Sequence, residues 1–157
     1  MKRQELVSYC YESPVGIIEI SADTEYLRQL TFNVKVHPTG QHSNWIIEET
    51  VRQLEEYFNC TGETFQLPLA LEDYTDFQRL VWKELTFIPL GDTASYKEIA
   101  IAIDRPGSCR AVGNACGQNM YPIIIPCHRV ISGNGTIGGF SADIRIKKWL
   151  LEFEKRG

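Results

Sequence analysis

Residues 122–131 read PIIIPCHRVI, and this stretch decides how the second half of the chain is interpreted. An apolar run ends at Pro126, and Cys127 then stands directly beside His128 and Arg129. A cysteine in a reduced protein is usually a small core residue, so an inert packing role has to be weighed first. The basic neighbours favour a reactive role, because positive charge or a base stabilises the nucleophilic thiolate. From these residues alone, a functional thiol and a buried inert thiol both stay open.

The spacing of the cysteines excludes several kinds of site. The chain has five cysteines, at positions 10, 60, 109, 116 and 127. An odd number without a secretion signal does not resemble a disulfide framework, so we expect reduced thiols. The last three, together with His128, match no common zinc pattern, and the Cys-x-x-Cys pair of zinc knuckles, covalent haem sites and thioredoxin-type sites is absent. We therefore expect no metal and no cofactor.

The composition is that of a folded protein. The 157 residues are 43% hydrophobic and 23% charged, which suits one ordinary domain or two small ones. No apolar run approaches the roughly 18 residues of a membrane span, and the basic start of the chain is not followed by the apolar region of a targeting signal. These features predict a cytoplasmic protein with no membrane partner.

The formal net charge of −4 conceals a difference between the two halves of the chain. Residues 1–74 contain 5 Lys and Arg against 12 Asp and Glu, a net of −7. Residues 75–157 contain 11 against 8, a net of +3, and the two values sum to −4. The second half is therefore the one whose charge suits contact with phosphates.

The first half is predicted to form strands followed by a helix. The predicted strands cover residues 6–12, 16–22 and 27–33, with a turn at 13–16. Apolar residues at helical spacing predict a helix from Trp45 to Phe58. The segment FQLPLAL, residues 65–71, is predicted as an edge strand because Pro68 has no N–H to donate.

A change of character at residues 72–74 places the domain boundary there, giving domains of residues 1–74 and 75–157. The capping-box pattern Thr75-x-x-Gln78 predicts the start of a helix that runs until Pro89. Ser95-x-x-Glu98 repeats the signal for a short second helix, and Ser108 is placed to cap a third. Two short helices joined by a Pro/Gly turn are consistent with a helix-turn-helix, although many helix pairs that do not bind DNA look the same.

The C-terminal segments complete the prediction. Residues 121–131 are predicted as a short buried strand or extended segment, and residues 132–135 as a tight turn. A last helix is predicted over residues 143–156. Its inward-facing residues are expected to be Ile144, Ile146, Trp149, Leu150 and Phe153.

Five motifs stand out in the second half of the chain: SYKEIA, CRAVGNACGQN, IPCHRVI, GGFS and WLLEFE. Together they resemble the motifs of the O6-alkylguanine-DNA alkyltransferase family, the methylated-DNA–protein-cysteine methyltransferases, and the resemblance extends from about Thr75 to Glu154. The first third of the chain has only the layout expected of the family. The resemblance implies a mixed α/β (α+β) fold, with a small N-terminal ribonuclease-H-like α/β domain and a C-terminal helix-turn-helix/winged-helix active domain.

The resemblance also implies a reaction. Members of the family transfer an alkyl group from O6 of guanine in DNA to their own cysteine, once and irreversibly. Cys127 matches that acceptor, His128 the residue that takes the thiol proton through a water, and Glu154 the carboxylate that orients the histidine. This is the logic of a catalytic triad with a different nucleophile. Tyr96 matches the tyrosine that protonates the leaving guanine.

Three further residues are implied to shape the site. Asn119 matches the asparagine that ties the recognition helix to the active-site segment through backbone hydrogen bonds. The backbones of Val130 and Ser141 match groups that hydrogen-bond the guanine. The base must leave the stack to reach them, because its O6 substituent is inaccessible inside a duplex.

The helix predicted at about residues 108–118 is implied to bind DNA in the minor groove. Arg110 matches the arginine that takes the place of the rotated base. The small residues Ala111, Gly113 and Ala115 are implied to permit close approach, with phosphate contacts that are mostly independent of sequence. The implied partner is double-stranded DNA carrying O6-alkylguanine, bound by a monomer.

Two positions depart from the family pattern. Met120 follows Asn119 where the family usually has proline, and Ala142-Asp143 follows GGFS where glycines are common. Bulk and negative charge at this rim bear on the acceptance of large alkyl groups and on DNA contact.

Two other functions compete with alkyl transfer. Non-catalytic relatives that bind alkylated DNA carry another residue, often tryptophan, at the acceptor position, and Cys127 argues against that reading. A winged-helix regulator that senses alkylation or oxidation through its cysteine would need an effector segment, and only the small N-terminal domain is available for that role. Cys116, in the recognition helix, is interpreted as a packing residue.

Overall fold

The computed structural model of the protein describes residues 5–34, 42–138 and 143–156. The chain divides into two compact units, Met1–Glu72 and Asp73–Gly157. This division lies two residues before the boundary predicted between residues 74 and 75. Within the described ranges, every helix is too short or too polar to cross a membrane.

The first unit is a three-stranded antiparallel sheet with one helix. Its elements are β1 (Val7–Ser13), β2 (Gly16–Ala22), β3 (Leu27–Thr31) and α1 (Trp45–Phe58). The strand order is β1-β2-β3, and the hairpin between the first two closes at Gly16, whose φ of 105° suits glycine. The three predicted strands and the predicted helix are confirmed.

The helix α1 buries one face against this sheet. Asn44 caps it by accepting a hydrogen bond from the backbone N–H of Ile47 at 3.0 Å. Ile46, Ile47 and Leu54 then fall on the buried side and α1 packs against β2. Burying a side chain of this size contributes about 1.5–3 kcal/mol, which exceeds the intrinsic helix preference of any of these residues.

The prediction of an edge strand at residues 65–71 is wrong. Leu69 forms one isolated parallel bridge with Leu27. The Leu27 N–H donates to the Pro68 carbonyl at 2.7 Å, and the Ala70 N–H donates to the Leu27 carbonyl at 3.1 Å. Because Pro68 can accept but not donate, the pairing does not extend into a ladder.

The second unit is mainly helical. Its elements are α2 (Asp76–Leu85), β4 (Ala94–Ser95), α3 (Tyr96–Ala102), α4 (Cys109–Gly117), a 3-10 turn (Cys127–Arg129), β5 (Val130–Ile131) and α5 (Ile144–Lys155). The two short strands pair in parallel, with Ala94 opposite Val130. This pairing brings the start of α3 beside the segment that follows Cys127.

The predicted helix starts differ in how they are capped. Thr75 and Gln78 form both bonds of the capping box, and Ser95 accepts from the Glu98 N–H at 3.0 Å, so both signals are confirmed. Ser108 precedes α4 as predicted, but its side chain makes no capping bond. Its backbone, at φ −104° and ψ 25°, lacks the extended conformation of the other two caps.

The prediction of a strand or extended segment over residues 121–131 is wrong for most of its length. The chain turns at Ile123, whose φ is 71°, and forms the 3-10 turn at Cys127 before two residues pair as a strand. Pro122 and Pro126 remove two backbone donors, which prevents a continuous ladder. Every residue from Tyr121 to Val130 is nevertheless buried, as predicted.

The last helix is confirmed, but its inward face differs from the prediction. Ile144 is 46% exposed, because the helix begins only at this residue, after the Asp143 cap. Trp149 and Phe153 are half-buried and stack on each other with ring centroids 4.9 Å apart. The buried face consists of Ile146, Lys147, Leu150 and Glu154.

Candidate active site

Cys127 opens the 3-10 turn and is buried, with 3% of its surface exposed. Its N–H donates to the Ile125 carbonyl at 2.8 Å, and the Arg129 N–H closes the turn on the Pro126 carbonyl at 3.0 Å. Burial raises the pKa of the Cys127 thiol, while a hydrogen bond from Asn119, the charge of Lys147 and nearby backbone N–H groups act in the opposite direction. Burial therefore disfavours the thiolate of Cys127, and the surrounding polar and charged groups stabilise it.

His128 and Glu154 are brought into contact by the turn and α5. His128 Nε2 lies 2.8 Å from Glu154 Oε2, and both side chains are buried. Burial alone would raise the pKa of Glu154, but hydrogen bonds from His128 and Arg129 lower it to about 2. The carboxyl is thus ionised at neutral pH and accepts from Nε2, so the neutral imidazole has its lone pair on Nδ1.

The lone pair on Nδ1 is available for a proton. Nδ1 of His128 is buried and, within the described part of the chain, has no hydrogen-bond partner. Burial lowers the pKa of His128, an effect that Glu154 opposes. A neutral, correctly protonated imidazole next in sequence to Cys127 has the properties of a general base.

Arg129 supports the carboxylate of Glu154. Its Nε and Nη2 donate to Oε1 and Oε2 at 2.8 and 2.9 Å, and its Nη1 donates to the Ile88 carbonyl at 2.8 Å. The sequence suggested Arg129 as a charge for Cys127. The structure directs its guanidinium to Glu154 instead.

Lys147 is a residue that the sequence analysis missed. It is 1% exposed, and its Nζ donates to the Val130 carbonyl at 2.7 Å. The same nitrogen lies 6.0 Å from the centre of the Tyr96 ring and interacts electrostatically with Cys127. Burial lowers its pKa. Its position seven residues before Glu154, on the same helix face, is the sequence signal that marks it as buried.

Asn119 joins the end of α4 to the active-site segment. Its Nδ2 donates to the Ile125 carbonyl and its Oδ1 accepts from the Tyr121 N–H, both at 2.9 Å. The Asn119 side chain also hydrogen-bonds Cys127. These contacts tie the end of α4 to the segment that carries Cys127.

Tyr96 is the first residue of α3 and is half-buried. Burial raises the pKa of its phenol, and Cys116 and Cys127 act in the same direction. Glycine leaves room for the phenol at position 138, whereas a side chain at position 113 would only contact the ring. A Cβ on Gly113 would lie 3.8 Å from the ring, and one on Gly138, at φ 75°, would lie 3.0 Å from Oη.

Of the two backbone groups predicted to bind the guanine, those of Val130 and Ser141, the structure describes only that of Val130. Val130 is buried, and its carbonyl already accepts from Lys147. A carbonyl oxygen has two lone pairs, so this bond leaves one for another donor. Ser141 and Ala142 lie outside the described residues.

The helix α4 presents only part of the surface that was predicted. Arg110 and Ala111 are exposed, and Gly113 is half-buried beside Tyr96. Ala115 is a correction, because it is buried and its carbonyl accepts a 2.8 Å hydrogen bond from Trp82 Nε1. It packs α4 on α2 and does not lie on the exposed face.

The neighbouring cysteine, Cys116, is poorly suited to be a nucleophile. Burial, reinforced by Cys127, raises the pKa of Cys116 to about 12. Cys60 and Cys109 are exposed. Within residues 5–34, 42–138 and 143–156, no group of three His, Cys, Asp or Glu side chains is arranged to hold a metal ion.

Both halves of the chain match models of one protein family. Residues 76–156 match the DNA binding domain of 6-O-methylguanine DNA methyltransferase, and residues 6–71 match its ribonuclease-like domain. A methylated-DNA–protein-cysteine methyltransferase of Methanosarcina barkeri is 43% identical over 149 residues, covering 92% of this chain and 94% of the relative.

Solved structures give the same result. The crystal structure of Mycobacterium tuberculosis O6-methylguanine methyltransferase superimposes with a TM-score of 0.85 at 36% identity, covering 97% of this chain and 94% of the other. A second structure of the M. tuberculosis protein, in complex with DNA, has a TM-score of 0.84 at 38% identity and covers 95% and 92% of the two chains. The mixed α/β fold with a helical C-terminal unit is thus confirmed.

Proposed function

The chain belongs to the 6-O-methylguanine DNA methyltransferase family, and we propose that it repairs DNA by transferring the methyl group of O6-methylguanine to its own Cys127. Its partner is double-stranded DNA that carries this lesion. The observation that carries the proposal is the 2.8 Å contact between His128 Nε2 and the ionised Glu154, which leaves the buried Nδ1 as a base on the residue next to Cys127.

The transfer begins with the proton of Cys127. It passes to Nδ1 of His128 through a water, and Glu154 stabilises the imidazolium that results. The hydrogen bond from Asn119 and the positive charge of Lys147 favour the thiolate. A low-dielectric site strengthens each of these interactions relative to water.

The thiolate then displaces guanine from the methyl carbon. The new bond joins Sγ of Cys127 to carbon, the bond from carbon to O6 breaks, and its electron pair stays with the base. Tyr96 gives a proton to the ring nitrogen of the leaving guanine. In total, the base gains one hydrogen in place of the methyl group and the protein gains a thioether.

The base reaches the site by rotating out of the duplex, because the methyl carbon is covered inside the stack. Arg110 takes the vacated position, and the exposed face of α4 that includes Ala111 lies in the minor groove. The Val130 carbonyl and the Ser141 N–H bind the guanine edge. Such contacts reject bases that would leave buried polar groups unpaired.

Each molecule reacts once. The thioether of S-methylcysteine is a poor methyl donor, because its demethylation would have to expel a thiolate, and the proposed mechanism uses no further residue to remove the methyl from Cys127. The proposed catalytic side chains of Cys127, His128, Glu154, Tyr96 and Asn119 all come from the second unit of a single chain, so we propose that the protein acts as a monomer.

The test is repair of a duplex that contains one O6-methylguanine, followed by the appearance of guanine in the hydrolysed DNA. We expect repair by the native protein and by Cys60→Ser, which removes an exposed thiol of the first unit, and none by Cys127→Ser. The serine variant should still bind the duplex. Repair by Cys127→Ser at the native rate would contradict the assignment of the acceptor.

A further inference from the structure

The guanidinium of Arg129 is fixed on two sides. It forms two hydrogen bonds with the Glu154 carboxylate and one with the Ile88 carbonyl, each between 2.8 and 2.9 Å. The Arg129 side chain is 7% exposed and the Glu154 side chain 1%. A planar guanidinium that forms two parallel hydrogen bonds with a carboxylate fixes the orientation of the carboxylate and stabilises its negative charge.

One oxygen of Glu154 serves two donors. Oε2 accepts from Nη2 of Arg129 and from Nε2 of His128. An ionised carboxylate has no hydrogen to give, so Nε2 carries the hydrogen of the neutral imidazole. The state of Glu154 therefore decides whether Nδ1 of His128 has a lone pair.

Without the guanidinium, the buried pair of Glu154 and neutral His128 would carry an uncompensated negative charge. Burial penalises such a charge, so the pair would bind one more proton near neutral pH. On the imidazole, this proton would occupy Nδ1. On the carboxyl, it would be donated to Nε2, and the imidazole hydrogen would then be on Nδ1. In both arrangements His128 could no longer accept the proton of Cys127.

We infer that Arg129 is a positioning residue for methyl transfer. It keeps Glu154 ionised and His128 neutral, with the imidazole hydrogen on Nε2, so that Nδ1 of His128 remains a base. This inference rests on the proposed function. Arg129 acts through Glu154 and His128 and does not touch the reacting atoms.

The other groups near the pair do not replace Arg129. Lys147 on α5 also disfavours the charged imidazole, but its Nζ donates to the Val130 carbonyl. Cys127 on the turn and Cys116 on α4 are thiols whose pKa values are raised by burial, so they add no negative charge at neutral pH. The two hydrogen bonds from the guanidinium of Arg129 offset the charge of the carboxylate directly.

The first test is the pH dependence of single-turnover methyl transfer. We expect Arg129→Met to be slower than the native protein on the order of a hundredfold at neutral pH, the scale of a lost general base, and to recover as the pH rises and the extra proton is released. Arg129→Lys, which restores a cation, should recover much of the neutral-pH rate. Arg52→Met removes an exposed, ion-paired arginine of the first unit and should match the native profile.

A loss of rate in Arg129→Met that is equal at all pH values would overturn the inference, because a purely structural defect would lower the rate by the same factor at every pH.

The second test uses the native protein, so its result does not depend on whether a variant folds. Long-range 1H–15N spectra of the His128 ring should show hydrogen on Nε2 and none on Nδ1 at neutral pH.

Hydrogen on Nδ1 of the native protein would overturn the inference even if methyl transfer is normal. Failure of the native protein to accept a methyl group would overturn the proposed function instead. The two failures are distinguished because the ring spectrum is recorded without DNA.

Discussion

Lys147 Nζ donates a 2.7 Å hydrogen bond to the Val130 carbonyl from a position where the lysine is almost completely buried. The bond links α5 to the short strand that follows the active-site turn. It also holds a positive charge near Cys127, and this charge lowers the pKa of the thiol against the effect of burial. Burying a lysine charge is costly unless it is paired, and here the Val130 carbonyl accepts from it.

Replacement of Lys147 by methionine should slow methyl transfer. The methionine keeps an apolar stem but removes the charge that lowers the pKa of Cys127, so the thiolate should become scarcer and transfer about tenfold slower at neutral pH. The measurement is the single-turnover rate against pH, which should shift to higher pH. Lys148→Met, at the exposed neighbouring position, is the matched control and should leave the profile unchanged. An unshifted profile for Lys147→Met would contradict the electrostatic role.

Glu154 should make the protein sensitive to acid. Its pKa is lowered from 4.5 to about 2, so its contribution to the free energy of unfolding is present above about pH 4.5 and is lost as the pH falls toward 2. The shift corresponds to about 3 kcal/mol for this buried group. The difference in unfolding free energy between the native protein and Glu154→Gln should therefore shrink as the pH is lowered.

Urea unfolding at a series of pH values measures this difference. Glu152→Gln, on the exposed side of the same helix, should show no comparable dependence. A constant difference between the native protein and Glu154→Gln across the acid range would mean that the ionisation of Glu154 does not stabilise the fold.

Asn119→Asp should separate the donor role of the amide from its acceptor role. The aspartate can still accept from the Tyr121 N–H but cannot donate to the Ile125 carbonyl or to Cys127. Its negative charge should also raise the pKa of the thiol, so transfer should slow and shift to higher pH. The rate is compared with that of Asn119→Ala, which removes both bonds without adding a charge. If Asn119→Asp reacts faster than Asn119→Ala at neutral pH, the assignment of the Asn119 amide as a donor that favours the thiolate is contradicted.

Arg110→Ala should affect duplex DNA more than the free base. Arg110 is exposed on α4, and its proposed role is to fill the space of the rotated nucleotide. The variant should lose much of its rate on a duplex containing O6-methylguanine and little on free O6-methylguanine, for which no rotation is needed. The two rates are measured side by side, and equal losses on both substrates would remove Arg110 from the rotation step.

The elements that could be predicted from the sequence are those with local signals. Thr75 and Gln78 mark the start of α2 through a reciprocal cap, and the spacing of Ile46, Ile47 and Leu54 marks the buried face of α1. Such signals depend on neighbours within one or two turns of the chain. The structure agrees with them for that reason.

The active-site turn depends on side-chain contacts that a strand-like composition does not reveal, and the strand prediction for it is wrong. The apolar run before Cys127 has the composition of a strand, but Asn119 binds both the Tyr121 N–H and the Ile125 carbonyl and so folds the segment back on itself. Ile123 accepts a positive φ that is unfavourable for a β-branched residue. Local propensity favours the opposite outcome, and a side chain outside the run overrides it.

The partners of Arg129 and Lys147 could not be predicted either. A charged residue is usually solvated, and although helical spacing places Lys147 on the same buried face as Glu154, the partner of neither cation follows from spacing. The partner of Arg129 is 25 residues away and that of Lys147 is 17 residues away along the chain. Cys127 and His128 could be identified as candidate nucleophile and base from a motif. The contacts of Arg129 and Lys147 with the groups around them could be identified only from the folded structure.

The measurement that tests the central claim most directly is the intact mass of the purified protein after incubation with a duplex that contains one O6-methylguanine, followed by peptide mapping. We predict a gain of one methylene per molecule, located on Cys127, with no further gain when more duplex is added. An unchanged mass, or a methyl group located on Cys116 or another thiol, would contradict it.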